Sequence, residues 1–176
     1  LLNAILKMNK PTVICLMAGS SIDLEQGAQK ANAVLNAWYP GAQGGKSVAK
    51  ILFGEVSPSG KLPVTFYHNE DLKNQPEFTD YSMKGRTYRY LEKEPMYPFG
   101  YGLTYGNVQV VQAKAGYDGD DVLVKASVLN NSNIETEDVI QVYCQNTHSK
   151  NAPKNPRLCG FRRVFCPSNK KIEIEI

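Results

Sequence analysis

The hydrophobic period of this chain differs on the two sides of a nine-residue knuckle, PFGYGLTYG, at residues 98–106. Upstream, apolar residues recur at helical spacing or in short β-rich runs; downstream, they alternate with period two almost to the end. A chain built this way has to hold two kinds of layer. Glycines at 100, 102 and 106 let the backbone take positive φ or approach a neighbour closely, while Phe99, Tyr101, Leu103 and Tyr105 alternate as large side chains that seek burial. The combination predicts a stiff aromatic hinge rather than a linker.

Upstream of the knuckle, LLNAILK carries apolar residues at helical spacing, and PTVICLM is a β-rich run opened by a proline and closed by Ala18-Gly19-Ser20. NAVLNAWY is apolar enough for a buried strand or a helix, and PGAQGG turns the chain. KSVAKILFG then places Val48, Ile51 and Leu52 at helical spacing, with Gly54 as the stop. EVSPSGKLPVTFY predicts a turn at Ser57–Gly60, followed by a strand presenting Leu62, Val64 and Phe66 on one face. Residues 1–67 are therefore expected to form an α/β layer structure, a mostly parallel sheet flanked by helices. Residues 68–106 read as an interdomain loop and the hinge, since the stretch from His68 to about Pro98 is polar, charged and tyrosine-rich without a period. From 107 to 176, period-two runs broken at 116–121, 130–133 and 167–169 describe hairpins of an antiparallel β-sandwich.

A net charge of +3, with 20 Lys and Arg against 17 Asp and Glu, gives no basic face, and the densest pairs are only Arg162-Arg163 and Lys170-Lys171. Nothing here calls for nucleic acid. Apolar runs such as Val13–Ala18 are far too short to span a bilayer, and LLNAILKMNK has no charged leader, so neither a membrane anchor nor a signal peptide is read. The opening without methionine, in mid-helix pattern, suggests a piece whose true N-terminus lies upstream, which leaves the compartment open. Ending at Ile176 inside a strand pattern suggests a sandwich short of its last strand or strands. No two of Cys15, Cys144, Cys159 and Cys166 form a CxxC pair, so zinc is not expected. Free thiols on strands are the expectation, with a disulfide among the last three as the alternative. His68 and His148 have no paired ligand or nucleophile in the sequence and read as surface residues.

Taken together, AWYPG (37–41), GG-x-x-VA-x-ILFGEVSPSGKLPVTFY (44–67), DYSMKGRTYRY (80–90) and YPFGYGLTY (97–105) resemble glycoside hydrolase family 3. VIQVYCQN followed by LCGFRRV resembles the fibronectin type III-like domain that ends many members. The resemblance implies an exo-acting retaining β-glycosidase, a β-glucosidase or β-xylosidase, built from a TIM-like barrel, an α/β sandwich and that last domain. It also implies that the nucleophilic aspartate belongs to the barrel and the acid/base glutamate to a loop preceding Leu1. Neither has a matching position, so no catalytic residue is assigned here. Two carboxyl groups carry the whole retaining mechanism, and no metal or organic cofactor is expected.

Supporting contacts are the remaining candidates. DYSMKGRTYRY sets Tyr81, Tyr88 and Tyr90 beside Arg86 and Arg89, groups able to stack on sugar faces and to hydrogen-bond hydroxyls; the same residues could equally pin the loop by packing. Trp38, with Tyr39, stands at the end of an expected strand, where open α/β sheets bind ligands, and reads otherwise as a core residue. Tyr81, Arg86, Tyr88 and Trp38 are the substrate-binding candidates. Asp80, Glu92 and Glu94 read as solvated charges or partners of Arg86 and Arg89 rather than a catalytic pair. GAQGG departs from the commoner family pattern, which carries a glutamate where Gln43 or Ala42 stands. The β-sandwich, without a run of exposed aromatics, reads as a buttress, and HSKNAPKNPR as a long loop reaching toward the barrel or a neighbouring subunit.

The expected partner is an oligosaccharide or aryl β-glycoside bound through the barrel, with no nucleic acid and no membrane; a homodimer is compatible with the sequence. GRTYRY after DYSMK leans to the xylosidase branch. The alternative is a stand-alone non-catalytic module that binds carbohydrate or a protein.

Overall fold

The computed structural model of the chain describes residues 1–176. The first part runs α1 (Leu2–Leu6), β1 (Val13–Leu16), α2 (Gln26–Lys30), β2 (Ala33–Asn36) and α3 (Gly44–Leu52). Strands β1 and β2 pair in parallel from Val13↔Ala33 to Leu16↔Asn36, and α2 lies on the crossover that parallel strands require. The expected mostly parallel sheet is only this two-stranded ribbon. The helix expected over KSVAKILFG forms as α3, ended by Gly54 at φ +75°.

The strand expected at residues 61–67 does not form. Pro63 has no N–H to give a ladder, and the segment instead makes isolated bonds to the knuckle: Leu62 N–H donates to Tyr101 O (2.8 Å), Gly100 N–H to Leu62 O (2.8 Å), and Phe66 pairs with Tyr97 in a lone antiparallel bridge. Phe66 is buried, but Val64 stands exposed, so the face expected to be shared is split. Two short helices, α4 (Asn69–Leu72) and α5 (Thr87–Tyr90), interrupt the polar stretch that follows.

Beyond the knuckle, β3 (Val108–Asp118), β4 (Asp121–Asn130) and β7 (Lys170–Glu175) form one antiparallel sheet, and β5 (Thr136–Cys144) and β6 (Arg157–Cys166) form another. Ala126, Val128 and Ile174 of the first face Ile140, Val164 and Cys166 of the second in one buried cluster. Alternation produces this core, since Ala126, Val128 and Asn130 of β4 and Thr136, Asp138 and Ile140 of β5 are buried at every second position. Burial, and secondarily the Asp138 carboxylate, pushes the Cys166 thiol above its ordinary pKa.

The segment at 130–133, expected as a hairpin turn, and the break at 167–169 are corners that carry the chain from one sheet to the other. Asn130, fully buried, makes the first corner: its Nδ2 donates to Ile134 O (2.8 Å) and to Cys166 O (3.0 Å), while its Oδ1 accepts from Ser132 Oγ (2.7 Å). Asn130→Ala would leave two carbonyls without this donor and is expected to lower the unfolding free energy by about 2 kcal/mol, read as a lower urea midpoint at unchanged slope.

Cys144 and Cys159 are joined in a disulfide, against the expectation of free thiols; Cys15 and Cys166 remain free. The β5–β6 register sets Cys144 opposite Arg157, which brings the two cysteine Cα atoms to 6.2 Å.

The knuckle lies between the first part and the two sheets and is bonded to both. Lys61 Nζ donates to Gly102 O (2.7 Å) and pairs with Asp138 of β5 (2.7 Å), both side chains being largely buried. Ser57, Thr104 and Thr136 share hydroxyl hydrogen bonds, with Thr136 Oγ1 and Thr104 Oγ1 each 2.7 Å from Ser57 Oγ. Tyr105 OH donates to Ile51 O at the end of α3 (2.7 Å), and Gln141 Nε2 donates to Gly100 O (3.1 Å). The knuckle is therefore bonded in both directions.

Candidate functional site

Beside this seam lies a groove of about 480 Å³, within the range of small-molecule sites. Its base is the irregular segment from Pro63 to Tyr67; Met83 and Thr87–Tyr90 form one wall, and Phe99 of the knuckle closes the end. Because residues 61–67 do not join a sheet, their side chains are free to line it. Tyr88 and Phe99 stack at 4.1 Å with planes only 10° apart, and the Arg89 guanidinium lies 5.9 Å from the centre of the Tyr88 ring. Thr87 N–H donates to Tyr67 OH (2.7 Å), fixing the start of α5 over the base.

Arg89 brings a positive charge to the groove, whereas Thr65, which also lines it, is buried with its Oγ1 shut away from solvent and without a hydrogen-bond partner. No carboxylate lines it. Such a surface can stack on a ring and hydrogen-bond hydroxyls, but it has no acid or base of its own for hydrolysis. A separate cleft lined by Lys125, Arg162, Glu173, Ile174 and Glu175 is a charged depression whose members neutralise one another, Lys125 pairing with Glu175 at 2.8 Å.

Of the four sequence candidates, the structure brings only Tyr88 into the groove. Its OH accepts from Leu158 N–H (3.1 Å), and its carbonyl accepts from Asn155 Nδ2 (2.7 Å). Arg86 points its guanidinium at the carbonyls of Pro76 and Glu77, tying down the loop. Tyr81 stands 86% exposed outside the groove. Trp38, at φ +51°, packs edge-on to Phe66 at 6.1 Å and does not line the groove. Asp80 accepts from Ser82 N–H (2.9 Å), and its pKa is lowered by those Ser82 hydrogen bonds first and by Arg86 last. Glu92 lies 3.5 Å from Lys154.

Four groups escape a reading of the sequence. Tyr67 and Thr65 were read as parts of a strand, and Phe99 as part of the hinge alone. Asn155, in the loop between β5 and β6, had no local signal at all, yet it donates to both Tyr88 O and Leu91 O (2.7 and 2.8 Å).

Comparison with known proteins places this geometry among relatives. Residues 1–105 match the model of the glycosyl hydrolase family 3 C-terminal domain. A xylan 1,4-β-xylosidase of Xylanibacter ruminicola is 39% identical over 171 residues, covering 96% of this chain and 19% of the relative. A periplasmic β-glucosidase of Salmonella typhimurium is 32% identical, covering 93% of this chain and 23% of the relative. Among solved structures, the family 3 β-glucosidase of Bifidobacterium adolescentis superimposes with a TM-score of 0.86 at 31% identity, covering 99% of this chain and 28% of that one. The chain thus spans about a fifth to a quarter of the curated relatives it matches.

Proposed function

Because the chain belongs to glycoside hydrolase family 3, we propose that it is the C-terminal part of an exo-acting retaining β-glycosidase that removes terminal, non-reducing β-D-xylosyl or β-D-glucosyl residues. The observation that carries this reading is the 39% identity to a xylan 1,4-β-xylosidase across 96% of the chain. The same figure, set beside 32% for the periplasmic β-glucosidase, favours xylose. Two antiparallel sheets packed face to face over residues 107–176 support a fibronectin type III-like domain. The parallel β1–β2 pair with its helices supports assigning residues 1–67 to the second part of an α/β sandwich.

Retaining hydrolysis needs two carboxyl groups roughly 5 Å apart on either side of the scissile bond. The groove offers none, so in this reading both come from portions of the polypeptide outside residues 1–176. The chain itself contributes an aromatic surface, with Tyr88 as the ring available to a sugar or an aryl leaving group, and a rigid seam that holds the surface in place. Tyr81 and Trp38 contact substrate only if those outer portions bring it to them, and Arg86 acts by fixing the loop.

The test is hydrolysis of nitrophenyl β-xyloside and β-glucoside by the full-length polypeptide and by residues 1–176 alone. We expect the full-length protein to cleave the xyloside faster and the isolated chain to give no rate above the blank. Saturable hydrolysis by the isolated chain would overturn the placement of the carboxyl pair. Failure of the full-length protein on both substrates would favour a non-catalytic carbohydrate-binding or protein-interaction module.

A further inference from the structure

The segment 145–158, made of the β5–β6 loop and the first two residues of β6, is closed at its base by the Cys144–Cys159 disulfide, and both cysteines are exposed at the surface. Rather than extending into solvent, the loop folds back onto α5. Asn155 Nδ2 donates to Tyr88 O and Leu91 O, Asn155 N–H donates to Arg89 O (3.1 Å), and Leu158 N–H donates to Tyr88 OH. Gln145 Nε2, next to the disulfide, donates to Lys154 O (2.8 Å) and sets Asn155 in place. The Asn155 and Leu158 bonds all end on α5 or on Leu91 just after it, and α5 forms a wall of the groove. At the base of the loop the hairpin ladder has only its last two pairs, Tyr143↔Leu158 and Cys144↔Arg157, beyond an irregularity after Val142. Hairpin ends of this kind fray readily unless something closes them.

We propose that the Cys144–Cys159 disulfide is a redox-controlled latch: its reduction by a dithiol frees the 145–158 segment and thereby unclamps α5, the Thr87–Tyr90 wall of the groove. A thiolate of the reductant attacks one exposed sulfur, breaking the protein S–S bond and releasing one cysteine thiolate. The second thiolate of the reductant then displaces the other cysteine and closes a cyclic disulfide. Two electrons and two protons pass to the protein, leaving two thiols and one oxidised dithiol. The loop, no longer held at its base, keeps Asn155 against α5 only part of the time. The latch does not depend on what the groove binds.

Amide hydrogen exchange on the full-length polypeptide, oxidised or treated with dithiothreitol, tests this without reference to activity. Peptides covering 145–158 and 86–92 are expected to exchange at least tenfold faster after reduction, while peptides of β4 and β7 do not change. The double variant C144S/C159S is expected to exchange fast in both segments whether or not dithiol is present. Asn155→Ala, which keeps the disulfide, is expected to speed exchange at 86–92 in the oxidised protein. Exchange at 86–92 that is unmoved by reduction would overturn the latch. So would a rise of equal size in β4 and β7, which would make the bond a global staple instead.

Discussion

Gly102→Ala is expected to lower the unfolding free energy by about 3 kcal/mol or more, the largest loss from any single substitution considered for this chain. A Cβ built on Gly102 would stand 2.0 Å from Gly60 O and 3.1 Å from the Lys61 side chain. The first of those neighbours is backbone and cannot swing aside as a side-chain tip can. Relief therefore requires residues 57–62 and 98–106 to separate. That movement pulls on Leu62 N–H to Tyr101 O, Gly100 N–H to Leu62 O, and Lys61 Nζ to Gly102 O. Gly45→Ala is the control. It lies within α3 with nothing within 4 Å of a new Cβ and is expected to be neutral or to stabilise by up to about 1 kcal/mol. Urea midpoints of the two variants beside the parent decide the matter; equal midpoints for all three would show that the knuckle is not a tight junction.

The same contrast explains what the sequence could reveal. Helix α3 was legible because Val48, Ile51 and Leu52 mark one face and Gly54 ends it. The facing sheets were legible because Ala126 and Val128 on one strand, and Ile140 on another, repeat every second residue. Residues 61–67 misled for the same reason: Leu62, Val64 and Phe66 alternate, but alternation does not count N–H groups, and Pro63 has none to offer. The corners at 130–133 and 167–169 carry good turn chemistry. Turn chemistry fixes a reversal of direction, not which sheet the next strand joins, and at the first corner that is decided by the buried Asn130.

The groove was legible only in part. Tyr88 stood out as an aromatic beside arginines, and Phe99 as one of a run of large residues; that they stack depends on bonds between 62–66 and 97–101, set by tertiary contact. Asn155 lies 67 positions from Tyr88 in sequence, and nothing local singles it out. The disulfide depended likewise on the β5–β6 register, which a list of cysteine spacings does not contain.

Asp138→Ala is expected to cost about 3 kcal/mol, because it removes one member of an ion pair withdrawn from water. Lys61 and Asp138 meet at 2.7 Å with side chains 17% and 12% exposed. Within the seam Lys61 would keep only Gly102 O as an acceptor, at 2.7 Å. Asp138 Oδ1 also accepts from Val139 N–H at 2.8 Å, a bond lost in the same variant. Two other ion pairs, Lys125–Glu175 and Lys171–Glu173, differ in kind: their side chains are more than half exposed, and water screens such pairs until they contribute little. If desolvation is the cause, replacing both charges should be milder than removing one. Lys61→Met combined with Asp138→Leu is then expected to lose less than Asp138→Ala alone, measured as the shift in urea midpoint for each variant and for Lys61→Met by itself. A double variant as unstable as the sum of the two single ones would mean that the pair acts through geometry at Gly102 rather than through its charges, and the seam would have to be explained by its backbone bonds alone.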